Sequence, residues 1–243
     1  MVDEDIFLNF IGMIFESIIL ILAATILILI LQKYLVKRHK LTRLLLFIFT
    51  NYFIAILFSW ISKIFVFTQL NLDNYFYNIV KDFRISEFFV IIAIFLSYIL
   101  KVNVFEKGYK TIQKYIVIIY GAFACFFVLV FYKDIITFIN SDLLDTFAFL
   151  IVFIYMVMIY TPFLRRSIQS YRAVDEKAYK QAFLSLVIMS ISFMFIFLSF
   201  AIDRVTIFMG GPGFTVFYYL AWISAIVGIF GAYYGYIRPK ARE

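Results

Sequence analysis

Two oppositely charged side chains lie where charges are rare, inside long apolar runs of the chain. Glu16 falls within the run 6–31, and Lys63 falls within the run 44–66. Exposing an ionised group to hydrocarbon costs about 2.5–3.5 kcal/mol on insertion scales, so each charge needs a partner or access to water. If a crossing takes ~20 residues, both charges lie about one turn from the same bilayer surface. We therefore take Glu16 and Lys63 as the candidate ligand-binding residues.

Three arrangements satisfy these two charges. They can pair with each other, which removes the isolated charge from the hydrocarbon. The carboxylate of Glu16 can instead face a cavity that opens to the outer side and holds a ligand. Finally, each side chain can extend separately to the headgroups while its stem stays in the apolar layer. The sequence leaves all three arrangements open.

A second pattern lies in the apolar run 214–237, where small residues recur with spacings of 3, 4, 3 and 4. They share one helix face and are Ala221, Ser224, Gly228, Gly231 and Gly235. Small side chains on one face allow another helix to approach closely, and the last two form a G-x-x-x-G motif. We interpret this helix-packing face as a tight contact within the chain. A homodimer seam and a sliding contact in a switching bundle are the alternatives.

A third pattern is a cytoplasmic basic segment, which we define as residues 165–180. Its cations are Arg165, Arg166, Arg172, Lys177 and Lys180. The segment can extend helically into water, lie on an anionic leaflet at ~1 kcal/mol per basic residue, or bind a cytoplasmic partner. Further along, Asp203 and Arg204 are adjacent at a helix end and are predicted to be a solvated pair.

The composition determines which elements must position these residues. The chain has 243 residues, of which 65% are hydrophobic and 15% charged, against ~45–50% and ~25% in soluble domains. This excess predicts lipid as the solvent, and the runs are apolar on every side, which excludes alternating barrel strands. We predict an all-α membrane protein, a single seven-helix transmembrane bundle over 1–243, with helices at 6–31, 44–66, 85–105, 115–132, 146–164, 182–202 and 214–237.

The distribution of charge predicts the orientation of the bundle. Of the 22 Lys and Arg residues, 17 fall in the connections 33–43, 101–114 and 165–180 and in the C-terminal tail. Cytoplasmic loops carry the excess of basic residues. We therefore predict an outside N-terminus, a cytoplasmic C-terminus and a multi-pass protein of the cell membrane. The basic residues are distributed by side of the membrane and do not form a face that could bind nucleic acid. We therefore expect the lipid bilayer as a partner and not nucleic acid.

Several kinds of chemistry have no residues to carry them. Cys125 and His39 are the only cysteine and histidine, so neither a disulfide nor a common His/Cys zinc site can form within one chain. The run 214–237 has no lysine for a retinal Schiff base. No H-E-x-x-H, G-x-S-x-G or P-loop motif occurs. We expect no enzyme activity, no cofactor and no metal.

The end of the chain carries one resemblance to known proteins. It reads Gly231-Ala232-Tyr233-Tyr234-Gly235-Tyr236-Ile237-Arg238-Pro239. This glycine- and aromatic-rich exit resembles the last helix of the N-terminal seven-helix membrane sensor regions of prokaryotic and archaeal histidine kinases. The resemblance implies a sensory module. Because the sequence stops at Glu243 without a kinase domain, it also implies that the output resides in another polypeptide; no binding residue carries over.

Together these features predict a receptor-like seven-helix module that signals to a separate cytoplasmic protein. The alternative is a small-solute transporter of 3+1+3 type, whose first three helices would be a parallel repeat of the last three. The prolines and glycines of the two halves do not correspond, so the sequence gives no support for that repeat. A non-catalytic subunit of a membrane complex is a further alternative.

Overall fold

The computed structural model describes residues 2–68, 75–106, 108, 111–131, 141–211 and 215–232, and these ranges are helical apart from short turns. The helices are α1 (Val2–Lys37), α2 (Lys40–Phe67), α3 (Tyr75–Lys81), α4 (Arg84–Phe105), α5 (Thr111–Val130), α6 (Ser141–Ala173), α7 (Lys177–Phe208) and α8 (Val216–Ala232). Within this part of the chain six helices are long and apolar enough to cross a bilayer, and α8 is a shorter apolar helix. The chain is an all-α, multi-pass membrane protein.

Three of the helices extend well beyond the apolar runs that predicted them, and the first of them, α1, covers Val2–Lys37 rather than 6–31. α6 continues to Ala173 rather than ending near 164, and α7 begins at Lys177 rather than near 182. Polar residues continue the helices at these ends because the helix is already nucleated, and each added residue gains one backbone hydrogen bond. The basic segment 165–180 therefore consists of two helix ends joined by the short link 174–176. This is the arrangement expected if the segment extends helically into water.

The connection between α2 and α4 contains the short helix α3. Tyr77, Ile79 and Val80 of this helix are buried. The chain then turns at Phe83, whose φ of 61° is in the left-handed region, an uncommon conformation for a bulky residue. This turn starts α4 and directs the ring of Phe83 toward the interior of the bundle.

Six helices form a closed ring, and α5 lies outside it. In the ring α1 packs against α2, α2 against α4, α4 against α6, α6 against α7, α7 against α8, and α8 against α1. α5 packs on the seam between α4 and α6. Along the ring the helices divide into two consecutive groups of three, α1–α2–α4 and α6–α7–α8, with α5 as the connecting span.

The helix-packing face of α8 lies against α7. A Cβ placed on Gly228 would stand 3.0 Å from the Cβ of Ser192, and one on Gly231 would stand 2.6 Å from Cγ2 of Ile188. Ser185 Oγ also donates to the carbonyl of Gly231 at 2.6 Å. Ala221 is buried and Ser224 half-buried on the same helix. These contacts are within the chain. Gly235, the tail resemblance 233–239 and the predicted end of the helix at 237 lie outside the described residues, and the homodimer stays a prediction.

The close contact at Gly231 gives a direct test of this packing. We expect Gly231→Ala to lower the stability of the purified protein by about 1–3 kcal/mol, because overpacking forces backbone shifts. The neighbouring Ile188 is branched at Cβ and cannot easily rotate away. Thermal unfolding in detergent measures the loss. Gly108→Ala is the matched control, since nothing lies within 4 Å of that position. Equal melting temperatures for both variants would contradict the packing.

Candidate ligand site

Glu16 is the centre of a buried hydrogen-bond cluster that joins three helices. Lys63 Nζ donates to Oε1 of Glu16 at 2.6 Å, and Tyr218 OH donates to the same oxygen at 2.9 Å. Ser59 Oγ lies 3.1 Å from Oε1 and 3.2 Å from Oε2. The relative exposure of Glu16 is 0% and that of Lys63 is 2%. The structure thus joins the two candidate residues as a pair, and their ligand-binding role stays a prediction.

Aromatic rings complete the surroundings of Lys63 and bring a second cation to the same place. Lys63 Nζ lies 5.0 Å from the ring centroid of Phe83 and 5.3 Å from that of Tyr218. The guanidinium carbon of Arg204 lies 5.4 Å from the same Phe83 ring and 5.4 Å from the ring of Phe149. A cation over an aromatic face is attracted by the ring quadrupole, most strongly when desolvated. Phe83 therefore supports two cations at once.

A further ion cluster lies beside this site, at the start of α4. Arg84 Nη1 is 3.2 Å from Oε2 of Glu87, and Arg84 Nη2 is 2.5 Å from Oδ1 of Asp145 on α6. Arg84 and Glu87 are both buried. The cluster connects α4 to α6 across the boundary between the two groups of three helices. Glu87 is therefore a second buried carboxylate, which the sequence analysis did not single out beside Glu16.

The prediction of a solvated Asp203 and Arg204 pair is wrong. Asp203 is 3% exposed, and its Oδ1 accepts from the backbone N–H and the hydroxyl of Thr215. It holds Thr215, the residue before α8, instead of pairing with its neighbour. Successive residues on a helix point about 100° apart, so the side chain of Arg204 leaves in another direction. There it meets the two aromatic rings.

A cavity of about 110 Å³ begins beneath this ionic layer. All six ring helices contribute to its wall, and charged residues are confined to one end of it. We call that end of the bundle the cavity end, defined by Glu16, Lys63, Glu87 and Arg204, all of which line the cavity. The remaining wall is largely aromatic and aliphatic. The end opposite to it carries the basic segment 165–180, and we call it the basic end.

A chain of hydroxyls closes the cavity toward the basic end. Tyr52, which lines the cavity, lies with its OH 3.2 Å from the OH of Tyr160. Tyr160 in turn lies 2.7 Å from Oγ of Ser97. Tyr160 and Ser97 have no exposed surface. These three side chains come from α2, α6 and α4, so the floor of the cavity ties together both groups of three helices.

The two groups of three helices line the cavity in the same register. On α2 the lining residues with spacings of 3, 1, 3 and 4 are Tyr52, Ala55, Ile56, Ser59 and Lys63. On α7 the same spacings recur in Phe193, Ile196, Phe197, Phe200 and Arg204. Lys63 and Arg204 are thus equivalent, and each is four residues before the end of its helix.

The other helices of the two groups correspond in the same way. Glu16 and Ala23 on α1 are seven residues apart, as are Phe149 and Met156 on α6. Phe83, Glu87 and Val90, at and after the start of α4, share the spacings of 4 and 3 with Tyr218, Trp222 and Ala225 on α8. Spacings of 3, 4 and 7 are those of any helix that faces a cavity, and Phe49, Ser86 and Ile229 line it without a counterpart in the other group. We call the two groups of three helices the repeats, a name that refers only to these matching spacings, and the cavity lies between them.

The remaining predicted residues lie away from this cavity. Arg165, Arg166, Arg172 and Lys177 are exposed at the basic end, and Lys180 Nζ lies 5.3 Å from the ring centroid of Tyr171. Cys125 is half-buried on α5. In the ranges that the structure covers, no group of three or more His, Cys, Asp or Glu side chains is placed to hold a metal ion.

Comparison with family models, with curated proteins and with solved structures gives no match to this chain. The site must therefore be interpreted from its own geometry. Sequence reasoning found Glu16 and Lys63 because a charge inside an apolar run is conspicuous. It missed Phe83, Glu87 and Arg204, which lie at run boundaries. One signal could have pointed to Arg204, because like Lys63 it is a cation close to the end of an apolar run.

The buried pair predicts unequal effects of single and double substitutions. Glu16→Gln or Lys63→Gln should each lower stability by about 3–5 kcal/mol, because each leaves an uncompensated buried charge. The double variant should lose clearly less than the two single losses added together. Denaturant unfolding of the purified proteins measures all three. Lys40→Gln, at an exposed position, should be neutral. Additive losses would show that the two side chains do not depend on each other.

Proposed function

We propose that this chain is a receptor-like sensor module of the cell membrane. A ligand enters from the outer side, occupies the cavity between the repeats, and changes how the helices pack. The change reaches a separate cytoplasmic protein through the basic end. The N-terminus is outside and the C-terminus cytoplasmic in this proposal, in agreement with the excess of basic residues at the basic end.

One observation carries the proposal: helices that line the cavity continue without a break into the basic segment 165–180. α6 contributes Phe149 and Met156 to the cavity wall and α7 contributes Phe193 to Arg204, and the two helices have 33 and 32 residues. At 1.5 Å per residue each is about 50 Å long, well beyond the ~30 Å of the hydrocarbon core. A tilt or rotation of α6 or α7 at the cavity therefore moves the ends of these helices at the basic end.

A ligand shifts such a bundle only if it binds two packings with different affinity. The site offers a means, because the Glu16 cluster and the Arg84 cluster join α1, α2, α4, α6 and α8 directly around the cavity. A ligand group that competes for one of these hydrogen bonds changes the balance between helix contacts. The resemblance of the last helix to histidine-kinase sensor regions supports the same function.

A small-solute carrier is the second candidate, and the repeated register favours it. Transporters built from parallel repeats hold substrate at the interface between the repeats, where this cavity lies. Discontinuous helices usually mark such sites, whereas the described spans lining this cavity run through it unbroken. A carrier would move solute across proteoliposomes, and that flux would be lost in Glu16→Gln.

Filling the cavity without any ligand tests the sensor directly. Ala225 lines the cavity and is 6% exposed, so Ala225→Phe should force the repeats apart. We expect the distance between spin labels at Lys40→Cys and Arg172→Cys to change by a few ångströms, since both exposed positions lie at the basic end. Pulsed electron paramagnetic resonance on Cys125→Ala protein in nanodiscs measures it.

Ala122→Phe is the matched control for this experiment, because Ala122 is exposed on α5 outside the ring. It should leave the label distance unchanged. An unchanged distance in Ala225→Phe as well would contradict the coupling of cavity and basic end. The same two cysteines test the orientation: a membrane-impermeant maleimide should fail to label them in intact cells and label both after permeabilisation.

A further inference from the structure

Arg204 is exceptional among the charges at the cavity end. Its side chain is partly buried, and its Nε is buried without a hydrogen-bond acceptor. Among the described residues its guanidinium takes part in no ion pair; its contacts are the rings of Phe83 and Phe149. A desolvated guanidinium presents five donors in a fixed fork that suits a carboxylate or phosphate. Nothing in the described chain fills that fork.

The neighbouring charges all have direct partners. Lys63 pairs with Glu16, and Arg84 pairs with Glu87 and Asp145. Asp203, the residue before Arg204, is satisfied by two donors of Thr215. The carboxylates near the cavity are thus already engaged. Oε1 of Glu87 remains as a buried acceptor without a donor, and it suits a hydroxyl or N–H on a bound molecule.

The two groups of three helices place different residues beside their cations. Lys63 and Arg204 occupy matching positions on α2 and α7. The partner of Lys63 is Glu16 on the preceding ring helix, whereas Arg204 lies against the ring of Phe149 on its own preceding helix. Among the described residues, no carboxylate forms an ion pair with Arg204, so a bound anion is the partner that this position suits.

The cavity beneath Arg204 has the lining of a site for a short apolar chain. On α7 the lining runs from Arg204 to Phe193, and on α2 from Lys63 to Phe49. A dry apolar cavity of about 150 Å³ holds benzene. The cavity of about 110 Å³ therefore suits a chain of roughly five carbons. The deep wall is apolar, with Phe197, Ala225 and Ile229 among its residues.

We propose that the cavity binds a single-chain amphiphile whose anionic headgroup, a carboxylate or phosphate, pairs with Arg204 while its chain lies between the two repeats. This inference rests on the ligand cavity of the proposed function and specifies what occupies it. A headgroup that also carries a hydroxyl or N–H donates to Glu87. The ring of Phe83 contacts both Lys63 and Arg204 at the cavity end. The charged layer therefore covers the apolar chain of the bound amphiphile.

Tryptophan fluorescence provides the test, because Trp222 lines the cavity and is 5% exposed. The chain has two tryptophans, so Trp60→Phe leaves Trp222 as the reporter. The full chain is placed in nanodiscs of zwitterionic lipid and titrated with 6-bromohexanoate, whose bromine quenches on contact. We expect saturable quenching that hexanoate reverses. Hexyl phosphate as a second competitor distinguishes a phosphate headgroup from a carboxylate.

Arg204→Gln should weaken the saturable quenching roughly ten- to a hundredfold, the range of a lost charge-assisted hydrogen bond. Arg204 attracts the carboxylate of Glu87 electrostatically, but its guanidinium forms no ion pair with a described residue, so this variant breaks no direct pair and should fold. Arg204→Lys, which keeps the charge but not the fork, should lose less. Arg166→Gln is the matched control, because Arg166 is exposed at the basic end, and it should bind as the parent does.

The remaining outcomes overturn the inference in distinguishable ways. Equal binding of 6-bromohexanol, or equal binding by Arg204→Gln, would exclude the anionic headgroup but leave a cavity that takes apolar chains. Quenching that rises linearly without saturation in every variant would show membrane partitioning alone and would reject the amphiphile. Neither result changes the label distances measured with Ala225→Phe, so a failure here is separate from a failure of the sensor mechanism.

Discussion

The structure depends on one constraint: a charge placed in the apolar layer must be neutralised by a partner on another helix. Glu16 meets this constraint with donors from α2 and α8, including a 2.6 Å contact from Lys63. Arg84 does the same between α4 and α6. Without water to compete, these bonds hold specific helices together at one depth. The apolar contacts below them are far less selective, because lipid tails are as apolar as the side chains.

The cavity lies between two polar layers of the bundle. At the cavity end, the ionic layer joins α1 with α2 and α8, and α4 with α6. At the other end of the wall, the hydroxyls of Tyr52, Tyr160 and Ser97 draw α2, α6 and α4 together. Between the two layers the ring of six helices stays open enough to leave a space. Small residues on α8 then allow α7 and α8 to pack closely despite that space.

The sequence predicted the fold class well because hydrophobic length alone specifies it. It also identified Glu16 and Lys63, whose charges interrupt apolar runs, although three arrangements remained open. It did not identify Arg204, since a cation beside an acid at the end of a run has the pattern of a solvated pair. Only the fold shows that Asp203 turns to Thr215 and Arg204 to two aromatic rings. The short helix α3 was not predicted either, because polar residues flank its few buried residues in the sequence.

The two groups of three helices line the cavity at matching helical spacings but with different residue types. Corresponding positions hold Glu16 and Phe149, or Ser59 and Phe200, so the sequence carries no residue-by-residue similarity between the groups. The charged layer is asymmetric as a result. In one group an acid lies beside the cation, whereas in the other the cation lies against aromatic rings, so Lys63 is the cavity-lining cation that forms an ion pair among the described residues.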